Sequence, residues 1–298
     1  MALSLHPEGM QLRSAFDRIC EEIYCLVELN DREESNIDFR HGKTVSETDR
    51  KMMKISYADS ASKEFWKPYD KNANLEEELD GHEEMVAEIE EKHNGETKTI
   101  GDADLLSLRY SHFLYFCVAR AALNNPIFDG TEGSYRFEKI CADHRWHMFP
   151  LETFLTFGTR GNPHITMLYI QPQQAATKEL MYTELWTLFY WAATLCYRVK
   201  YNPNKTLPIR LVSLCDRRAR VVTAVFSSGY IRCVGTKSAD PKGEDVSCKI
   251  HVGDYYDFTR SASCLSFAKE MIARPIGIHT ISREQARDGH KGRLSKTG

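Results

Sequence analysis

Residues 185–197 read LWTLFYWAATLCY, apolar everywhere except Thr187 and Thr194. No other stretch restricts the fold as strongly. A helix that is apolar nearly all round has to be covered on every side. This one is well short of the roughly 20 residues that cross a bilayer, so a membrane helix is not expected. The helix predicted over 175–200 carries only a narrow polar stripe of Thr183, Glu184, Thr187, Thr194 and Arg198. It is expected to be the buried centre of a core.

Around it the hydrophobic period is two rather than 3.6. LETFLTF (151–157) and HITMLYI (164–170) predict strands joined by the turn GTRGNP. PIRLVSLC (208–215), VVTAVF (221–226) and YIRCV (230–234) follow the helix. Their short connectors, DRRAR and SSG, suit an antiparallel meander. KSADPKGEDVS predicts an exposed loop and CKIHV (248–252) a further strand. Ser261 or Ser263 can cap a last helix that stops before Pro275. Residues 281–298 predict a disordered basic tail.

The first half reads differently. Residues 8–29 show helical spacing of Leu12, Phe16, Ile19, Ile23, Leu26 and Val27. Residues 30–62 lack a period and predict a loop or flexible segment. Residues 74–93 form an acidic helix, either a solvated surface or a partner-binding one. A stronger helix spans 102–124, capped by Asp102 or Asp104 and ended by Pro126. FDGTEGS predicts a turn before a helix at 134–148. The expected fold class is therefore α+β. A helical, acidic region (1–150) packs on a mixed, largely antiparallel sheet with one buried central helix (151–280), followed by the tail (281–298).

Composition narrows the class of function. The chain has 298 residues, 42% hydrophobic and 27% charged, as ordinary globular proteins have. Its net charge of −3 conceals a division: residues 1–100 carry 13 Lys/Arg against 24 Asp/Glu, and residues 198–298 carry 19 against 9. Such polarity steers a polyanion to one end or draws the two halves together. The nine cysteines include no CxxC and several sit in apolar runs, which favours reduced thiols and a cytoplasmic or nuclear setting. No secretory signal pattern opens the sequence.

GxGxxG after a strand, GxxxxGK[ST], GxSxG and HExxH are all absent, which lowers the odds of the enzyme classes they mark. CADHRWH places Cys141, His144 and His147 within helical reach of one metal ion, with Asp143 beside them. The alternative is a helix end packing Trp146 and Phe149. No cofactor is expected. The basic constellation is Arg210, Arg217, Arg218, Arg220, Arg232 and Lys249, with Tyr230, Tyr255, Tyr256 and Phe258 as stacking faces. Guanidinium forks match phosphate oxygens, and aromatic faces suit single strands. The competing reading is that these arginines pair with the acidic half. His164 after Pro163 can serve as a base or a structural polar group. DYYDFTRS (254–261) reads as a polar loop closed by an Asp–Arg pair.

The order of strand pair, long helix, strands and last helix over about residues 134–275 is similar to the core of the PD-(D/E)XK nuclease-like superfamily. In that family an acid-x-lysine at a core strand end binds magnesium and assists the attacking water. The matching positions here are Gln171-Pro172-Gln173, so acid and lysine are both missing. The resemblance implies a scaffold that does not cut, unless Asp129, Glu132 and Asp143 supply ligands. The leading expectation is a non-enzymatic binding or assembly protein whose basic C-terminal region contacts nucleic acid or an acidic protein partner. A metal-dependent nuclease or phosphodiesterase and an adaptor acting through helix 74–93 are the alternatives. No membrane partner is expected, and self-association is left open.

Overall fold

A computed structural model describes residues 11–12, 14–15, 44–59, 66–67, 81–95, 106, 109–110, 135–136, 150–157, 165–170, 178–197, 206–235, 245–271 and 274–275. Its centre is a seven-stranded sheet in the order β1-β8-β7-β6-β5-β4-β3. The strands are β1 (Ile55–Tyr57), β3 (Tyr135–Arg136), β4 (Pro150–Phe157), β5 (Ile165–Ile170), β6 (Thr206–Cys215), β7 (Arg218–Ser227) and β8 (Cys248–Asp257). β5 runs parallel to β6, and β1 parallel to β8; the other pairings are antiparallel. The sheet is thus mixed and largely antiparallel, and the fold is α+β. Trp66–Lys67 (β2) and Arg274–Pro275 (β9) make a separate two-stranded pair.

The long apolar helix is α3 (Tyr182–Tyr197), and it joins the parallel strands β5 and β6. A parallel pair needs such a crossover, because a tight turn cannot reverse the chain twice. Leu185, Leu188, Phe189 and Ala192 of α3 pack on Leu207, Ile209 and Leu211 of β6 and on Val222, Ala224 and Phe226 of β7. This is face one of the sheet. Val45 and Met53 on either side of helix α1 (Glu47–Met52), together with helix α4 (Ser228–Gly235) and the helical residues Leu12 and Ala15, adjoin the same side. Each such buried large side chain contributes roughly 1.5–3 kcal/mol.

Face two takes the residues of opposite parity. Val212 and Leu214 of β6 and Ala219 and Val221 of β7 meet α5 (Ser261–Met271) through Cys264, Phe267 and Met271. Helix α2 (His82–Gly95) lays Met85, Val86 and Ile89 against this cluster, together with Leu106 and Tyr110. Helix α2 is therefore not solvated all round. Its His82 is buried, with Nε2 2.9 Å from the Phe258 carbonyl oxygen and 3.1 Å from Cys264 Sγ. A carbonyl can only accept, so Nε2 carries the proton and donates.

Four expectations need correction. At the start of the helix expected over 134–148, Tyr135–Arg136 form strand β3, paired with β4. YIRCV (230–234) lies in α4, not in a strand. Ser227 ends β7 and its Oγ accepts from Tyr230 N at 3.3 Å, a helix N-cap that starts the turn at once. The connector DRRAR is a turn of only Asp216 and Arg217, because the β6–β7 ladder runs on to Cys215↔Arg218. Asp216 takes φ 50°, a left-handed conformation that Asp tolerates better than most. Within the segment expected to be loop at 30–62, residues 47–52 and 55–57 form α1 and β1. A six-residue helix and a three-residue strand are too short for a period to show. Ser46 is the N-cap of α1, its Oγ accepting from Asp49 N at 3.1 Å, while Ser46 N donates to the Tyr182 hydroxyl at 3.2 Å. Asp49 in turn accepts from the Tyr182 hydroxyl of α3.

Among the described residues, Cys215, Cys233, Cys248 and Cys264 are buried thiols, and no helix is long and apolar enough to cross a membrane. Of the expected elements, residues 16–29, 74–80, 102–105, 107–108, 111–124 and 137–148, and the tail 281–298, lie outside the described residues.

Candidate functional site

The basic residues do not converge on one surface, and strand geometry is the reason. Side chains alternate across a strand, so Arg218 and Arg220 leave face one of β7 while Arg217 leaves the turn. Arg210 projects from face two of β6, with Val212 and Leu214.

Arg220 is wholly buried, as is Glu184 of α3. Arg220 Nε donates to Glu184 Oε1 at 2.9 Å and Nη2 to Oε2 at 2.6 Å, a two-pronged pair. Nη2 also donates to the Glu179 carbonyl at 2.7 Å, and the guanidinium lies 5.2 Å from the Tyr255 ring centroid. Glu184 Oε2 further accepts from Met181 N at 3.0 Å, so the same carboxylate caps α3. Burial pulls the Arg220 pKa down, and the bonds and charge of Glu184 more than offset this, leaving it raised. Tyr255 reaches this position because β8 has a bulge. Arg220 pairs with Tyr255 but Val222 with Val252, leaving Gly253 and Asp254 to oppose one residue. Gly253 is required there: a Cβ would stand 2.9 Å from the Val221 oxygen.

Arg217 reaches the acidic helix. Its Nε donates to Glu90 Oε1 at 2.6 Å and its Nη2 to Oε2. Tyr110 adds a hydroxyl donor to Oε1 at 2.8 Å. The hydrogen bond from Arg217 holds the Glu90 carboxyl below its usual range. Here the charge division along the chain serves an internal contact. Tyr230 is fully buried, stacked on Phe189 at 5.7 Å, and its hydroxyl donates to the Met53 carbonyl at 2.7 Å. Phe258 is likewise buried edge-on to Phe267, and Tyr256 donates to Glu270. Arg210, Arg220 and Tyr230, expected as ligand contacts at the surface, are thus interior groups.

Among the described residues, Arg218 and Arg260 are more exposed than Arg217 at this end of the sheet. Arg218 Nε lies 3.7 Å and Arg260 Nε 3.9 Å from Asp257 Oδ2, with side chains 50% and 79% exposed. Asp257 also accepts from Thr259 N and Oγ1, at 3.1 and 2.7 Å. The expected Asp–Arg pair within 254–261 is present with a second guanidinium added, but residues 254–257 belong to β8 rather than to a loop. Lys249 is exposed at the other end of the ten-residue β8, too far to join them.

The side chain of Arg232 lies outside the described residues, as do Cys141, His144, His147, His164, Asp129, Glu132, Asp143 and Gln171–Gln173. Among the described residues no three His, Cys, Asp or Glu side chains group to hold a metal ion. The sequence reading missed Glu184 as the partner of Arg220; its place within the narrow polar stripe of an otherwise apolar helix was the available signal. Nothing local marked Trp66, whose ring lies 4.2 Å from the Arg210 guanidinium carbon. Comparison with protein-family models, with curated proteins and with solved structures finds no match to this chain.

Proposed function

We propose that this is a non-enzymatic binding or assembly protein whose basic C-terminal region contacts nucleic acid or an acidic partner. The supporting observation is the pair of exposed guanidiniums, Arg218 and Arg260, that share the one carboxylate of Asp257. The cluster keeps a net positive charge and solvated planar donors, the chemistry that meets phosphate or carboxylate oxygens. Residues 281–298 carry five Lys/Arg against two Asp/Glu and add to the positive charge of this region.

The test is binding of single- and double-stranded oligonucleotides, and of poly-glutamate, across a salt series. Wild-type affinity for one of them should fall steeply with salt. The Arg218→Ala/Arg260→Ala double variant should bind several-fold more weakly at an unchanged Tm. Affinity that ignores salt, or that survives the double change, overturns the reading. Arg217 and Arg220 are unsuitable for this test, because their loss disturbs internal contacts.

A further inference from the structure

We infer that face two of the sheet holds a buried site for a small oxyanion, a phosphate or a carboxylate, centred on Arg210 and Thr223. The ladder sets Thr166 of β5 opposite Arg210, Arg210 opposite Thr223 of β7, and Thr223 opposite His251 of β8. Directly paired residues project from the same face, so these four polar side chains form one row across four strands. The first three are 7%, 2% and 0% exposed, and His251, partly exposed, marks the outer end. Among the described residues, neither Arg210 Nε nor Thr223 Oγ1, both buried, has a hydrogen-bond partner. Two such atoms at directly paired positions are unusual, because buried polar groups are nearly always satisfied.

The chemistry of the pair specifies the ligand. Arg210 donates Nη1 to the Glu270 carbonyl at 2.8 Å and lies under the Trp66 ring, but no carboxylate oxygen pairs with it among the described residues. The Glu270 carboxylate accepts from the Tyr256 hydroxyl instead. Cross-strand Cβ atoms stand about 4.5–5.5 Å apart, so the two side chains start as direct neighbours on this face. A water molecule there answers both atoms but brings no charge, leaving the Glu270 carboxylate, which acts on Arg210 without pairing with it, as its anionic neighbour among the described residues. An oxyanion answers both and neutralises the guanidinium. Trp66 covers the guanidinium from a ladder of only two residue pairs, so entry requires that this cover lift. The site is separate from the Arg218–Arg260 surface and stands or falls independently of it.

The experiment titrates the full chain with inorganic phosphate and, separately, with acetate, holding ionic strength with chloride. Thermal melting and calorimetry are the readouts. A saturable rise in Tm with either anion is expected, and which anion acts assigns the ligand class. Thr223→Val removes one hydroxyl at constant shape and should weaken the affinity about tenfold or more while the far-UV spectrum is unchanged. Arg210→Gln should abolish the response; if that variant does not fold, Thr223→Val decides. The proposal is overturned if neither anion gives a saturable response. Unchanged affinity in Thr223→Val overturns it too, as does a phosphate- or acetate-soaked crystal showing only water between Arg210 Nε and Thr223 Oγ1.

Discussion

Arg220 and Arg210 both lie inside the protein, on adjacent central strands and opposite faces of one sheet. They are solvated by the fold in different ways. Arg220 meets a buried carboxylate with two parallel bonds, a backbone carbonyl and an aromatic face. Arg210 meets a carbonyl and an indole, and one of its donors is left over. Burial pulls the Arg210 pKa down to about 10, while Glu184 keeps that of Arg220 raised. A buried ion pair adds little net stability over apolar residues of the same shape, but a buried charge without its partner is costly. The difference therefore separates a cation held in a two-pronged carboxylate pair from one that the Glu270 charge acts on without pairing with it.

The comparison breaks most sharply at Glu184. Glu184→Ala strands Arg220 in the interior and should cost about 3–5 kcal/mol in urea unfolding. Adding Arg220→Met should recover most of that loss, since the double variant buries no charge. A loss under about 1 kcal/mol for Glu184→Ala would show that Arg220 finds other compensation. Gly253→Ala attacks the bulge that brings Tyr255 to Arg220. The new methyl meets the Val221 oxygen at 2.9 Å, and the strain should lower stability by about 1–3 kcal/mol.

Arg210→Met probes the other side. It forfeits the Trp66 contact and one hydrogen bond, but it also removes an incompletely satisfied cation. In buffer without phosphate or carboxylate, its stability should stay within about 1 kcal/mol of wild type. A loss as large as that of Glu184→Ala would make both arginines structural and erase the contrast.

The smallest effect belongs to the Glu90–Arg217 pair, which is partly exposed. Its carboxyl pKa is lowered in the folded state, chiefly by the Arg217 hydrogen bond. The unfolded chain therefore binds more protons in that range, and stability falls as pH falls. The contribution is present above the ordinary Glu value and disappears as pH drops through the lowered one. Arg217 is 39% exposed, so solvent screening limits the effect to roughly 0.5–1 kcal/mol. Glu90→Gln should flatten that part of the stability profile between neutral and acidic pH.

Several of these elements were legible in the sequence. The apolar run at 185–197 predicts α3, and the period of two predicts β4 to β7, because each signal comes from neighbours along the chain. YIRCV was not legible, since its alternation also fits one turn of helix, and the Ser227 cap decides between them. The partners of the arginines were visible only as a class. The sequence reading allowed that basic residues pair with the acidic half, and Arg217 does so through Glu90. It did not tell Arg220 from Arg218, although both stand in the same cluster.

By itself, then, the sequence determined the buried helix, the α+β class and the division of charge along the chain. Those are properties of composition and local period. The tertiary structure alone decided which arginine is buried, which is paired and which faces solvent. That outcome depends on strand register, where a shift of one residue turns every side chain to the other face. The row from Thr166 to His251 is drawn from four strands whose alignment no local signal records. Register is set by the packing of both faces at once, so it becomes readable only when the sheet is assembled.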